Sequence, residues 1–349
     1  MAKGLAIVCV VLGHCLSDTT GLRALVYSFH MPLFFMLAGF TMRPKPRRTV
    51  LVQSFKRLLV PYFLVCAILL LFAIVPPDSI TPNLDSQRSF PVVLVEIFYG
   101  SGQEGVIYGH TFQAIGAIWF LPCLFWARLL LNEVLLHTDR LSGPKRLVEP
   151  LAVALIVWLG MAIGKQLRLP FDLDTALVAA GFLYVGLLVK RRGFENIRPW
   201  QWTGLLVIWL FYSWAGNNEM AVRAYLENPW SLVTAAAGSL VIMKCCQSFE
   251  CVHPARKPIA FVFSKLKGLF AWAGVSSLLI LCVHRVESAV FNWQKIMETF
   301  APGVWDWDIL SQGLYQFALR VALVLLLTAA IQWAVGRMKA LASARDLRS

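Results

Sequence analysis

Long apolar runs separated by short basic segments limit most strongly how this chain can fold. An α-helix needs about 20 apolar residues to cross a bilayer, and ten runs approach that length, although several fall short of it. The chain is 58% hydrophobic and only 15% charged, whereas soluble proteins average about 25% charged residues. The pattern predicts a single all-α domain over 1–349, a polytopic integral-membrane helical bundle with about ten transmembrane helices. The predicted spans are roughly 3–17, 23–42, 57–75, 113–135, 148–165, 174–190, 200–215, 230–246, 269–287 and 313–335.

The positive charges alternate between the two sides of this predicted bundle. Twenty-two Lys and Arg residues follow even-numbered spans or lie in the C-terminal tail, and about five lie in the opposite loops. The positive-inside rule therefore predicts that both termini are cytosolic. Because its distribution is a topology signal, the net charge of +13 argues against a nucleic-acid partner. Membrane lipid is the expected surrounding.

The first forty residues hold three ionisable groups that an apolar helix would not keep for packing alone. Lys3 and His14 are eleven residues apart, which places them on one helix face, about 20° apart around the axis and ~16 Å apart along it. A polar turn at 17–21 then reverses the chain and brings His30 back to a similar depth. Pro32 follows and predicts a kink in the return helix. The sequence predicts a polar cavity between these two helices.

Each of these groups has a functional and a structural interpretation. A histidine inside a span is a functional-site hypothesis by default, and an unperturbed pKa near 6.5 lets His14 accept the proton of an attacking hydroxyl. The structural alternative is a buried ring bonded to a backbone carbonyl. Lys3 could bind a phosphate as a point charge, or simply anchor the helix at the membrane face. His30 could assist His14, or bond a carbonyl freed by the kink.

Residues KGLAIVCVVLGH and then FHMPLFFMLAGF closely resemble the opening of the membrane-bound acyltransferase-3 family. The nearest branch is similar to the fucose 4-O-acetylase-like sugar O-acetyltransferases. That family opens with Arg or Lys, ten residues and then His, a spacing that Lys3 and His14 match. The segment WFLP at 119–122 and the segment SSLLILCVH ending at His284 resemble the family less strongly. Family members usually carry more residues before the motif lysine, so we expect either an upstream start or an unusually short opening. We do not expect a cleaved signal peptide.

The resemblance implies an acyl-CoA-dependent O-acetyltransferase of a bacterial inner membrane. Acetyl-CoA would enter from the cytosol as the acyl donor, with no permanently bound cofactor. The acceptor would be a sugar hydroxyl on an extracytoplasmic or lipid-linked polysaccharide, which suggests exopolysaccharide biosynthesis. His14 would act as general base or as transient acyl carrier, two mechanisms that the sequence does not separate, and His30 would be the second catalytic candidate.

Other polar or aromatic residues in or beside the spans are candidate binding groups. Their alternatives are core packing, snorkelling to the interface and satisfied salt bridges. The candidates are Trp119, Arg128 and Arg320, with Lys3, for the coenzyme, and His110, His284, Arg285 and Glu287 for the acceptor.

Two long segments are predicted to lie outside the membrane. The segment 76–112 predicts a proline-rich loop, a short interfacial helix around 90–99 and a glycine-rich turn. The segment 288–312 holds acids beside Trp305 and Trp307, which suits a sugar site or, more commonly, an interfacial aromatic belt.

The sequence predicts no metal site. Its eight cysteines follow no metal or disulfide spacing. It also lacks a P-loop, a G-x-S-x-G elbow and an HExxH pair. Any enzymatic chemistry would therefore depend on histidines within the membrane.

Two other classes of function remain open on the sequence. Membrane domains similar to this family have been linked to amino-acid uptake, so a small-molecule transporter is the main alternative. A transporter would show no activity in detergent, where no two compartments exist, whereas an acyltransferase would still consume acetyl-CoA. An assembly partner of a polysaccharide-export complex is a third class, and its His14→Ala variant would still support acetylated product.

Overall fold

The computed structural model describes residues 1–74, 90–107, 110–139, 141, 145–214, 219–254 and 256–346. The described chain is helical almost throughout, with one two-stranded antiparallel sheet. The helices are α1 Ala2–Gly13, α2 Gly21–Tyr27, α3 His30–Phe40, α4 Arg47–Ser54, α5 Val60–Ile74, α6 Phe90–Tyr99, α7 Phe120–Thr138, α8 Lys145–Gln166, α9 Leu173–Arg192, α10 Pro199–Trp214, α11 Trp230–Cys251, α12 Lys257–Val275, α13 Ser277–Val290, α14 Trp293–Phe300 and α15 Ile309–Asp346, and the strands are β1 Gly105–Ile107 and β2 His110–Phe112.

The prediction of a polytopic helical membrane bundle is confirmed. Within the described residues, eight helical segments are long and apolar enough to cross a membrane, so the predicted number of about ten is approximate. The predicted interfacial helix is α6. The segments are Gly21–Phe40, Arg47–Phe72, Ala117–Thr138, Leu147–Gln166, Pro170–Arg192, Trp230–Cys251, Lys257–Val275 and Ile309–Ser343.

Two predicted boundaries are wrong. The first helix was predicted to run to residue 17, but α1 ends at Gly13 and the chain turns from His14 onward. Polar side chains favour this turn, since the Thr20 hydroxyl accepts the Arg23 amide and caps α2. The span predicted at 269–287 is two helices, because the chain breaks at Ser276, whose hydroxyl bonds the Gln332 amide at 2.8 Å.

Helix α1 contacts α2, α3, α11, α12, α13 and α15, and most of its residues are buried. Glycines let helices α3 and α9 approach each other closely. A Cβ on Gly39 of α3 would overlap the Leu183 carbonyl of α9, and a Cβ on Gly186 of α9 would overlap the Met36 carbonyl of α3. Small residues at helix crossings allow backbones to touch in this way, and close packing of this kind stabilises helix pairs inside membranes.

The helix formed by α4 and α5 contains one π-helical turn, Phe55–Leu59. Pro61 explains this turn, since it has no amide proton to donate to the Arg57 carbonyl four residues earlier. Val60 bonds the Phe55 carbonyl instead, one residue further back than in an α-helix. Such bulges are frequent at functional sites, and this one displays Arg57.

Loops predicted to share a side of the membrane do contact one another. The amino group of Met1 lies 3.3 Å from Glu250 at the end of α11. The Lys45 amide bonds Asn132 near the end of α7. At the opposite end of the bundle, Arg223 pairs with Asp172 and Asp174 at the start of α9, while Gly102, beside the β-hairpin, donates its amide to Asp172. We call these the basic end and the opposite end.

Candidate functional site

His14 follows the last residue of α1, in the interior of the bundle near its opposite end. The rings of Tyr27 and His284 lie beside His14, yet the residue is exposed. His30 and His284, in contrast, are only 3% and 1% exposed. His14 is therefore the histidine of this group that a substrate can reach.

Two other predicted histidines, His30 and His284, lie near His14. The ring centroids of His14 and His284 are 5.3 Å apart. The Tyr27 ring contacts both His14 and His30, with its centroid 6.3 Å from that of His14 and 4.8 Å from that of His30. Gly13 permits this arrangement, because a Cβ there would lie 2.8 Å from the Tyr27 ring. The glycine of the GH pair thus makes room for the ring that links two histidines.

His30 makes the backbone bond that its structural interpretation predicts. Its Nδ1 lies 2.8 Å from the Val26 carbonyl oxygen, at the break between α2 and α3, where Phe29 leaves helical geometry. The break falls near Ser28, four residues before Pro32, where a proline ring crowds the helix. A carbonyl can only accept, so Nδ1 carries the proton and a neutral ring would interact with substrate through Nε2.

His284 belongs to a buried ion-pair group with Glu287 and Arg320, which we call the buried node. The His284 Nδ1 lies 2.7 Å from Glu287 Oε1. Arg320 donates to the same oxygen at 3.1 and 2.8 Å, and Trp293 donates its indole N–H to Oε2 at 2.5 Å. An ionised carboxylate accepts only, so it sets the His284 tautomer with the proton on Nδ1. The node also touches His14, whose backbone carbonyl lies 3.4 Å from Arg320.

A cavity of about 350 Å³ opens at the basic end and extends toward the histidine group, although no histidine lines it. Lys3, Arg57 and Arg128 line it at the basic end, and we call these three residues the cationic mouth. Val10, Met31 and Leu281 also line it and are buried.

The buried lining residues are close in the chain to the three histidines. Val10 and Leu281 precede His14 and His284 by four and three residues, about one helical turn of 5.4 Å, and Met31 is adjacent to His30. Residues within about one helical turn of each histidine along the chain therefore line the cavity.

The cationic mouth carries positive charge that no acidic residue of the described chain neutralises by a salt bridge. Arg128 is half-buried, and its Nε lacks a hydrogen-bond partner among the described residues. Lys3 and Arg57 are exposed. Three like charges held together around a cavity favour an anionic ligand, because a bound anion removes their repulsion and supplies the missing acceptor.

The other predicted coenzyme residues lie elsewhere. Trp119 is buried in a 3₁₀ turn against Gly102, and the cavity wall is formed by its neighbours Phe120, Leu121 and Leu124. Arg320 lies in the buried node and not at the cationic mouth.

The predicted acceptor residues are only partly together. His284 and Glu287 share the buried node, whereas the Arg285 Nε donates to the Ile115 carbonyl at 2.6 Å. The backbone of His110 lies in β2, and its side chain is outside the described residues. Trp305 and Trp307 are both half-exposed near the start of α15.

Sequence reasoning missed two residues of the site. Arg57 was counted only as one of many basic loop residues; the proline four positions later was the available signal for its π-turn. Tyr27 had no signal in the sequence, since its role depends on two rings from different segments. Within the part of the chain that the structure describes, no group of three His, Cys, Asp or Glu side chains could hold a metal ion.

Comparison with known proteins identifies the family of the chain. A family model of the acyltransferase-3 type, described as an acyltransferase domain, matches residues 1–337. No curated protein and no solved structure matches the chain. Because the family match spans almost the whole chain and the structure has many membrane-length apolar helices, the protein belongs to the acyltransferase-3 family and is a multi-pass membrane acyltransferase.

Proposed function

We propose that the protein transfers an acetyl group from cytosolic acetyl-CoA to a sugar hydroxyl of an extracytoplasmic or lipid-linked bacterial polysaccharide. The observation that supports this proposal is a cavity that opens at the cationic mouth and is lined deeper in by Val10, Met31 and Leu281, which are close in the chain to the three histidines. A coenzyme A thioester has this polarity, since phosphates lie at one end, the reactive thioester lies at the other, and a slender chain joins them.

The donor would bind with its phosphates at Lys3, Arg57 and Arg128. Arg128 offers an unpartnered Nε donor for a phosphate oxygen, and hydrogen bonds between charged groups are about twice as strong as neutral ones. The pantetheine chain would lie between α1, α3, α7 and α13, where the lining is apolar. The basic end would then face the cytosol, in agreement with the positive-inside rule.

His14 is the group that we assign to the chemical step. In a direct transfer, its ring takes the proton of the acceptor hydroxyl, the oxygen forms the new ester bond, and the C–S bond breaks. The proton then passes to the departing thiolate and gives free coenzyme A. In a two-step transfer, His14 first takes the acetyl group itself and then passes it to the hydroxyl.

The buried node would orient the second ring of the site. Glu287 fixes the tautomer of His284, so Nε2 of His284 is left with its lone pair. Arg320 balances the carboxylate and bonds the His14 backbone carbonyl. The acceptor hydroxyl would approach from the opposite end of the bundle, where His14 lies, while the donor arrives from the basic end.

The test is acetyl transfer by the purified protein in detergent, with His14→Ala compared to His253→Ala. His253 is an exposed loop histidine that bonds the Cys251 carbonyl and does not line the cavity. General acid–base catalysis is worth about 10²–10⁴-fold, so we expect His14→Ala to lose that much activity at normal membrane levels while His253→Ala keeps it. Proton NMR of glycan O-acetyl groups in cells is the matching readout.

Three results would contradict the proposal. Unchanged acetylation by His14→Ala would make the histidines structural and favour an assembly partner. Unchanged acyl groups in cells lacking the gene would contradict the enzymatic role. Inactivity in detergent combined with uptake in sealed vesicles would favour the transporter alternative.

A donor pulse distinguishes the two routes of transfer. Protein acetylated at His14 after the pulse would identify the two-step route, and absence of acetylated protein at full activity would identify the direct one.

A further inference from the structure

A second cavity, which we call the outer cleft, lies at the end of the bundle opposite the cationic mouth. It has a volume of about 910 Å³ and is bounded by the end of α6, the β1–β2 hairpin and the end of α8. None of its lining residues lines the 350 Å³ cavity described above. The sequence predicts a glycine-rich turn here, with His110 as the candidate residue for acceptor binding.

Side-chain amides give the outer cleft its hydrogen-bonding character. Gln103, Gln113 and Gln166 all line it. Each glutamine amide offers both donors and an acceptor. Sugar hydroxyls likewise donate and accept, so neutral amides suit them. Phosphates, which only accept, would favour a set of cations such as the cationic mouth.

One of these amides has an unsatisfied atom. The Oε1 of Gln103 is buried and has no hydrogen-bond partner among the described residues. Buried polar atoms without a partner are rare, and each calls for an explanation such as an absent ligand or water. A ligand hydroxyl donating to this oxygen would satisfy it.

Tyr99, which is half-buried and packs against the buried ring of Phe112, supplies an apolar surface in the same cleft. The ring centroids of Tyr99 and Phe112 are 4.4 Å apart. Sugar rings carry C–H groups on one face that pack on aromatic rings, while their hydroxyls point outward. Binding sites of this kind combine an aromatic surface with a few polar groups that fix orientation.

Backbone contacts hold the walls of the cleft in place. The Tyr99 hydroxyl donates to the Arg168 carbonyl, and the Arg168 guanidinium donates to the Glu104 carbonyl. Glu104 and Arg168 bring one charge of each sign to the lining, so the cleft carries no charge excess. A preformed, neutral, amide-rich cleft favours an uncharged polar ligand.

The outer cleft is joined to the histidine group by a short piece of chain. Phe112 lines the cleft, and Gly116 packs against the Arg285 guanidinium. Four residue steps span at most ~14 Å, and Arg285 directly follows His284. An oligosaccharide of a few units could therefore occupy the cleft and the histidine group at once.

From these observations we propose that the outer cleft binds a saccharide unit of the acceptor, a few units away from the sugar whose hydroxyl is acylated. This inference rests on the proposed function and adds that the acceptor is recognised as an oligosaccharide chain and not as a single sugar.

The experiment compares acceptors of graded length. The probes are oligosaccharides from the cell's own surface polysaccharide, freed of acyl groups by mild alkali and fractionated from single sugars upward. Variants Gln103→Ala and Gln166→Ala remove cleft amides, and Gln294→Ala is the control, since Gln294 is an exposed glutamine at the same end of the bundle but outside the cleft.

We expect each cleft variant to raise KM for long oligosaccharides about threefold to tenfold, in line with one lost hydrogen bond. The kcat, the KM for single sugars and the KM for acetyl-CoA should stay unchanged, since only binding shared by substrate and transition state is lost. The Gln294→Ala variant should match the wild type. An equal KM for long acceptors in the wild type and both cleft variants would overturn the inference.

Saturation-transfer NMR without donor separates this inference from the proposed function. Binding of the long probes to the wild type, weakened in both cleft variants, supports the cleft even if no acetyl transfer occurs. Absence of binding, or equal binding by all variants, overturns the cleft even if transfer succeeds. Because Gln166 is exposed at the last residue of α8, its replacement is the variant least able to disturb folding.

Discussion

Arg128 and Arg320 both lie in helices at the core of this protein, but their surroundings are opposite. Arg320 is 5% exposed and bonds the Glu287 carboxylate through two nitrogens. Arg128 is half-buried beside Lys3 and Arg57, and its Nε lacks a partner in the described chain. One arginine has its counter-charge within the protein, whereas the other shares a cavity with further cations.

This difference separates a structural charge from a charge kept for a ligand. A buried ion pair must be satisfied internally, because removing either partner strands the other in a low-dielectric interior. A half-open cluster of cations can stay unsatisfied, because water screens it until an anion binds. The same residue type therefore orients a histidine at one end of the site and, as we propose, binds a phosphate at the other.

The largest expected effect is on the stability of the buried node. Glu287→Gln keeps the side-chain shape but leaves the Arg320 charge unpaired, which costs ~3–5 kcal/mol for a buried pair. Thermal unfolding in detergent should show this loss, together with a fall in acetyl transfer.

Glu133→Gln is the matched control for Glu287→Gln. Glu133 pairs with Arg47 at an exposed position, and such pairs are worth about 0–1 kcal/mol. Equal losses of stability in the two variants would mean that burial does not strengthen the ion pairs of the node. The energetic contrast between Arg320 and Arg128 would then be contradicted.

The cationic mouth should respond in the opposite way. Arg128→Gln removes one of three like charges, so stability without ligand should stay the same or rise. The KM for acetyl-CoA should increase about tenfold, which corresponds to ~1.4 kcal/mol and lies close to the worth of one charged hydrogen bond. Added salt should weaken donor binding in the wild type more than in the variant.

Lys56→Gln is the control at the mouth. Lys56 is exposed and adjacent to Arg57, but it does not line the cavity. An equal rise in KM for Lys56→Gln and Arg128→Gln would indicate a diffuse surface field and not a specific phosphate contact.

The smallest effect concerns another paired cation, Arg23, at the opposite end of the bundle. Burial raises the pKa of its partner Glu219 above 4.5, an effect that Arg23 partly offsets. A raised carboxyl pKa favours the folded state at pH below 4.5, and that contribution is lost as pH rises through the folded-state value. Glu219→Gln should therefore lose stability relative to the wild type on acidification from neutral pH to 4.5, by about 1 kcal/mol or less. Parallel melting curves at both pH values would contradict this expectation.

Much of the fold could be predicted from the sequence because a bilayer permits few solutions. Apolar runs of spanning length must form helices that satisfy their own backbone bonds, and the basic loops indicate which helix ends lie together. The helix boundaries were predicted wrongly where this rule is weak. The end of α1 at Gly13 and the break at Ser276 depend on local polar contacts, and neither lies in a strongly polar segment.

The candidate site was predicted less completely. His14, His30 and His284 could be named, because an ionisable group within an apolar helix requires an explanation. Glu287 could also be named, because it lies one turn after His284 in the same helix, but Arg320 could not be placed with them, since it is 33 residues beyond Glu287 and meets it only when α13 packs against α15. The assignment of Arg320 to the coenzyme shows the same limit, because both arginines have similarly apolar sequence surroundings.

The sequence by itself determined the membrane environment, the helical class and the family, since these follow from hydropathy, charge and the spacing of residues along the chain. Only the tertiary structure decided which cations are neutralised, which histidine is accessible and where the cavity runs. Those properties depend on distances between side chains of different helices, and periodicity within one helix carries no information about them.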